Sequence, residues 1–187
     1  MDQIARLLSP ASVAVIGASG DARKTSGRPI AFLRKHGFEG RLYPVNPRYE
    51  EIDGLRCYPS VDALPEVPDV AIILLGPERA NQAVADLAAR GCPAAILLAG
   101  GYGETGTTGA QRQEELKAAR GSMRILGPNT IGLVNLTERV TLSASIGLWT
   151  SCSPAASQWF LRAEVSRRAS FSRCRCWNWL LEAHFYQ

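Results

Sequence analysis

Gly17-Ala18-Ser19-Gly20-Asp21, followed by Lys24 and Gly27, is the first stretch of the chain whose residue types suit the holding of a ligand. Gly17 and Gly20 allow close backbone approach, Ser19 has a hydroxyl to donate, and Lys24 adds a positive charge. The stretch follows an apolar run, Ser12–Ile16, and precedes a helix-like pattern from Pro29 to His36. At such a junction free amides and a helix N-terminus stabilise phosphate oxygens. The spacing is neither a strict GxGxxG nor a P-loop, which disfavours ATP cradled in the P-loop manner. A tight strand-to-helix turn with no ligand would use the same glycines.

A second group is Asn46-Pro47-Arg48. A domain that binds NAD carries an acidic residue near this point for the ribose 2′-hydroxyl, and here no acid occurs before Glu50. Arg48 suits an additional phosphate on the ribose, which fits NADP and coenzyme A alike; an unpaired surface arginine is the alternative. Leu75-Gly76 and Leu98-Ala99-Gly100 offer small or backbone-only walls between which a flat base or a narrow arm could slide. Asn129, in Gly127-Pro128-Asn129-Thr130, presents a two-sided amide that either meets a ligand or bonds its own loop. His36, next to Gly37, reads as a helix-end residue. No Ser–His–Asp set, carboxylate pair or metal-ligand spacing emerges, so no catalytic residue and no metal ligand are assigned.

The elements that must position these groups are short apolar runs bounded by glycine and proline. Val13–Ile16, Arg41–Val45, Val70–Leu75, Ala94–Leu98 and Arg124–Leu126 read as parallel strands covered on both faces. Pro77–Arg90 reads as a helix with Ala80, Val84, Leu87 and Ala88 on one face, closed by Gly91; Thr107–Arg120 reads as another, closed by Gly121. Strand and helix alternate, which predicts an α/β, Rossmann-like, doubly wound and mainly parallel sheet. Ligands on such sheets lie beyond the carboxyl ends of the strands, and all the groups above follow strand ends.

Composition sets the outer limits. With 187 residues, 46% hydrophobic and 20% charged, the chain holds one ordinary globular domain or one domain plus a fragment. No run reaches the roughly 18 apolar residues of a membrane span, and the N-terminus lacks the pattern of a signal peptide. The expectation is a cytoplasmic protein without a membrane partner. The net charge of +4 is uneven: five arginines against Glu164 and Glu182 follow Thr150, so the overall basic balance is a poor argument for nucleic-acid binding.

The chain resembles the CoA-binding domain of the NDP-forming acyl-CoA synthetases, a family that includes ADP-forming acetyl-CoA synthetase and is related to the succinyl-CoA synthetase alpha subunit. The matching pieces run from about Leu7 to Ser145: Leu8-Ser9-Pro10 with Ser12–Ser19, Gly40–Pro47, Gly54–Val61 and Gly127–Gly132. The resemblance implies coenzyme A phosphates near Ser19, Gly20 and Asp21, with Asn46 and Arg48 at the adenosine, Leu98–Gly100 lining the ligand and Asn129 towards the thiol. Where succinyl-CoA synthetases carry cysteine after Gly-Pro-Asn, this chain has Thr130. Family enzymes pass a phosphoryl group from an acyl-phosphate to a histidine in a later domain, and a further domain grasps the nucleotide; the resemblance finds no counterpart of either here. It implies CoA or acyl-CoA binding without turnover by the chain alone. Two alternatives stand beside it: a nucleotide-binding regulatory or partner module completed by a separate ligase subunit, and an NADP-binding oxidoreductase domain.

The expected domain ends at residue 146. In residues 147–187 the composition breaks: all four tryptophans (149, 159, 177, 179) and three of five cysteines (152, 174, 176) fall there, with no glycine after Gly147. Reading Gln158–Ser166 through permitted codons, with each third base joined to the next two, yields Val-Val-Ser-Gln-Ser-Gly-Gly-Ile. Family members continue here with a strand ending in Ser-Gln-Ser-Gly. We read the segment as an out-of-frame remnant of a second domain; a basic, aromatic RNA-binding arm and an amphipathic membrane segment are the competing readings.

Overall fold

The computed structural model describes residues 3–145 and the strand 159–163. In chain order the elements are α1 (Gln3–Leu8), β1 (Ser12–Ile16), α2 (Arg28–Lys35), β2 (Arg41–Val45), the short pair β3 (Glu51–Ile52) and β4 (Leu55–Arg56), and β5 (Val70–Ile73). Then come α3 (Pro77–Ala89), β6 (Ala94–Leu97), a single 3-10 turn (Gly103–Thr105), α4 (Thr107–Ala119), β7 (Arg124–Leu126), β8 (Thr130–Asn135), β9 (Val140–Ser143) and β10 (Trp159–Ala163).

Five strands form one parallel sheet in the order β2-β1-β5-β6-β7. Its three inner strands, β1, β5 and β6, are buried on both faces, and their alternate residues divide between two cores. Ala14, Ile16, Ala71, Ile73, Ala95 and Leu97 pack with Ala80, Val84 and Leu87 of α3 and Leu116 of α4. Val13, Val15, Val70, Ile72, Ala94 and Ile96 pack with Leu7 of α1, Ile30 and Leu33 of α2, and Leu133, Val140 and Leu142 of the β8–β9 ribbon. The second face is therefore covered partly by an antiparallel ribbon, which the sequence reading did not anticipate. The turn of that ribbon is held by Asn135, 1% exposed, whose Oδ1 accepts from the amides of Thr137 and Glu138 while its Nδ2 donates to Leu8 O.

Helix limits follow local chemistry. Pro29 and Pro77 occupy first-turn positions, where a missing N–H costs nothing. Gly76 caps α3 in an extended conformation, and Glu78 in the first turn complements the dipole. His36 is the C-cap of α2, with its ring 6.5 Å from that of Phe32.

The boundary expected at 146 leaves β10 beyond it, and β10 pairs antiparallel with β8, Phe160 opposite Val134. Trp149, Trp177, Trp179, Cys152, Cys174, Cys176 and His184 lie outside the described residues.

Candidate functional site

Adjacent strands of the sheet end in step. Ile16 lies opposite both Val45 and Ile73, and Ile73 lies opposite Leu97, so the loops after β2, β1, β5 and β6 depart from one line. Short contacts then join these loops into an unbroken row. Asn46 Nδ2 donates to Ala18 O at 2.7 Å, and Gly17 N donates to Val45 O at 2.8 Å. Leu98 N donates to Ile73 O at 3.3 Å, and Asn129 N donates to Ala99 O at 3.0 Å. Between β1 and β5 the fit depends on glycine: a Cβ at Gly17 would stand 2.8 Å from Leu75 Cδ2, and its φ of +83° is one that L side chains rarely adopt. This is also where successive connections leave for opposite faces, α2 packing on one and α3 on the other, the topological position at which open α/β sheets bind their ligands.

The β1 loop closes on itself. Ser19 is 7% exposed; its amide donates to Ser26 O and its Oγ accepts from Asp21 N at 3.2 Å. The hydroxyl proton of Ser19 is left to give, and the Gly20 amide has no partner among the described residues. Asp21 serves the loop with its carboxylate. It accepts from Arg23 Nε at 2.9 Å, Arg23 Nη2 at 3.0 Å and the Arg23 amide at 3.1 Å. The Arg23 side chain, then its amide, hold the Asp21 carboxyl down at about 2 despite some desolvation. Asp21 thus compensates Arg23, while the exposed Lys24 ammonium makes no hydrogen bond or ion pair among the described residues. Gly27 is required for closure, because a Cβ there would run into the carbonyls of Asp21 and Ser19.

Beyond β2, both ends of the Asn46 amide are engaged, Nδ2 with Ala18 O and Oδ1 with the Arg48 amide at 3.0 Å. Asn46 therefore ties two loops together and presents Arg48, whose exposed guanidinium has no hydrogen bond or ion pair among the described residues. Gly76 is exposed at the start of α3, and Leu75, Leu98, Ala99 and Gly100 are half-buried. Asn129 is exposed, follows a cis Gly127-Pro128 peptide and has φ +58°. Its side-chain Oδ1 lies 3.4 Å from where a Gly100 Cβ would be. Thr130 is buried, with Oγ1 accepting from Gly132 N at 3.2 Å.

Sequence reasoning missed three residues that hold this edge in shape. Arg28 donates to Arg23 O at 3.0 Å and Ala144 O at 3.1 Å, pinning the β1 loop to the end of β9. Tyr102, fully buried, donates to Asn81 Oδ1 at 3.0 Å and fastens the β6 loop to α3. Glu104 accepts from Gly101 N at 2.6 Å and Tyr102 N at 3.2 Å. An acid placed three residues after Gly101 within Gly100-Gly101-Tyr102-Gly103-Glu104 was the available signal for the last of these.

Residues 11–135 match a family model described as a CoA binding domain. The chain belongs to that family. This CoA-binding domain is 41% identical over 143 residues to a trans-feruloyl-CoA synthase from an unknown prokaryotic organism, covering 75% of this chain and 20% of that protein. It is 36% identical over 129 residues to the subunit alpha of an ADP-forming acetate–CoA ligase II of Pyrococcus furiosus, covering 68% of this chain and 28% of that one. Among solved structures, the dinucleotide forming acetyl-coenzyme A synthetase 1 of Ca. Korarchaeum cryptofilum, in complex with phosphate and ADP, superposes with a TM-score of 0.72 at 33% identity. That match covers 77% of this chain and 31% of the other. The domain is thus homologous to the CoA-binding region of ADP-forming acetyl-CoA synthetases and spans between a fifth and a third of the length of these relatives. Among the described residues no helix is long and apolar enough to cross a membrane.

Proposed function

We propose that this domain binds coenzyme A or an acyl-CoA along the carboxyl edge of its sheet and acts as the CoA-holding part of an acid–thiol ligase, without completing the ligation alone. The supporting observation is the unbroken row of contacts from Asn46 to Asn129, which has Lys24 and Arg48, two cations with no ion pair among the described residues, at its β1–β2 end. In this reading the Ser19 hydroxyl, the Gly20 amide and Lys24 meet the phosphates. Arg48 pairs the ribose 3′-phosphate, Leu75-Gly76 and Leu98–Gly100 flank the ligand, and Asn129 lies towards the thiol. Asp21, Asn46, Gly17 and Gly27 contribute by keeping the loops in place. The setting is the cytoplasm, and the functional domain ends near residue 146.

Calorimetric titration with CoA, dephospho-CoA and NADPH tests the reading. CoA binds tightest of the three, and dephospho-CoA loses about 1.5–3 kcal/mol, the size of a charge-assisted phosphate contact. Equal affinity for CoA and dephospho-CoA removes Arg48 from the assignment; preference for NADPH removes coenzyme A. A second reading, completion by a separate subunit, is favoured by the relative from Pyrococcus furiosus being itself a subunit alpha. Co-purification of a ligase subunit with the full chain tests that.

A further inference from the structure

The β6 loop already holds an anion, and it belongs to the protein. Glu104 Oε1 lies 2.6 Å from Gly101 N, and Oε2 lies 3.2 Å from Tyr102 N. Consecutive amides converging on one carboxylate are the arrangement by which backbone nests bind phosphate. Desolvation pushes the Glu104 carboxyl up, but the amides of Gly101, Glu104 and Tyr102 outweigh it and hold the group below its ordinary range. The carboxylate is therefore ionised at neutral pH, and among the described residues no cation pairs with it. It also faces the proposed ligand path. A Cβ at Gly100 would stand 2.9 Å from Glu104 Oε1 and 3.4 Å from Asn129 Oδ1, so both side chains lie over the same glycine.

The loop cannot easily turn this group away. Tyr102 is fully buried with its hydroxyl on Asn81, Arg112 Nη1 donates to Gly101 O at 3.2 Å, and Gly103 N donates to Gln113 Oε1 at 2.9 Å. A carboxylate stabilised in this way is a poor proton acceptor, so a role as general base is disfavoured. What it does is set the sign of the field. Along one edge, positive charge stands on the loops after β1 and β2 and unneutralised negative charge on the loop after β6, two to three strand spacings, roughly 10–15 Å, away.

We propose that Glu104 is a specificity-determining residue: by filling the Gly101 and Tyr102 amides with its own carboxylate it denies the β6–β7 end to anions, selecting acyl-CoA ligands with an uncharged acyl group over those carrying a second carboxylate. The inference rests on the CoA reading, and two arms of one experiment keep them apart. In the full chain, acetyl-CoA and succinyl-CoA are titrated against the unsubstituted protein, Glu104→Gln and Glu104→Ala. The unsubstituted protein prefers acetyl-CoA, and either substitution narrows the preference by roughly five- to tenfold, as loss of one like-charge contact at a partly wet site implies. In parallel, inorganic phosphate is titrated while the Gly101 and Tyr102 amides are followed by nuclear magnetic resonance. They shift saturably in Glu104→Ala and stay put in the unsubstituted protein. An unchanged acyl preference in both variants overturns the proposal, as does a phosphate response of these amides in the unsubstituted protein equal to that in Glu104→Ala. Failure of every protein to bind any CoA species overturns the CoA reading instead, and the phosphate arm then decides the role of Glu104 alone.

Discussion

Arg48 and Asp21 sit on neighbouring loops and carry opposite charges, yet their surroundings give them different work. Arg48 has its amide fixed by Asn46 Oδ1 and its guanidinium free among the described residues, an arrangement that aims a charge without consuming it. Replacing it in Arg48→Ala is expected to weaken CoA by about 1.5–3 kcal/mol while leaving dephospho-CoA nearly unaffected, read by calorimetry. Asp21 is consumed by Arg23, which holds it at about 2, below its ordinary 3.8. A carboxyl lowered in the folded state adds stability that is complete above pH 3.8 and is lost as the pH falls towards 2. Both partners are solvent-accessible, so the contribution is small and falls with salt. The check is direct: the Asp21 carboxyl followed by nuclear magnetic resonance titrates near 2, and Arg23→Ala raises its midpoint part of the way to the normal carboxylate range, the residue-23 amide still donating to it.

The β1–α2 connection shows what one missing side chain does for a whole element. Gly27 N donates to Lys24 O, Lys24 N donates to Asp21 O, and the carbonyls of Asp21 and Ser19 fill the space that a Cβ at 27 would need. Gly27→Ala must therefore push the loop off the start of α2. It is expected to destabilise the domain by about 1–3 kcal/mol in urea unfolding, as overpacking typically does. It should also reduce CoA affinity, because Ser19 and Lys24 move with the loop. The limits of α2, α3 and α4 were readable to within a residue or two, since proline in the first turn of α2 and α3 and glycine after the end of all three leave strong local marks. The β8–β9 ribbon was not. It reverses over Asn135–Val140 without an Asn-Gly or Asp-Gly pair, and its turn depends on side-chain bonds from Asn135 and a positive φ at Arg139.

At the scale of the molecule, two cores of different make-up clamp one sheet. On one face α3 and α4 supply helical packing; on the other, Leu133, Val140 and Leu142 from the ribbon complete what α1 and α2 leave open. If the ribbon is part of the core, Leu133→Ala costs about 2–5 kcal/mol in thermal or urea unfolding, with CoA affinity retained under conditions where the protein stays folded. A cost below about 1 kcal/mol, as at a surface position, would show the ribbon to be an appendage.

Residue order alone determined the five parallel strands, the helices α2, α3 and α4 and the convergence of the strand-end loops on one edge. Alternation of apolar runs with glycine- and proline-bounded helices leaves few other ways to bury both faces of a sheet. It also marked Lys24 and Arg48 as candidate phosphate-pairing cations, and both side chains are exposed without an ion pair among the described residues. Only the tertiary structure decided how each marked residue is used. Asn46 and Asp21 turned out to be tied to other loop atoms, Arg28 and Tyr102 to brace the edge, and Glu104 to occupy amides that the sequence left open. The reason is that a polar side chain's role depends on which donors and acceptors lie within about 3 Å of it, and those partners come from segments far apart in the chain.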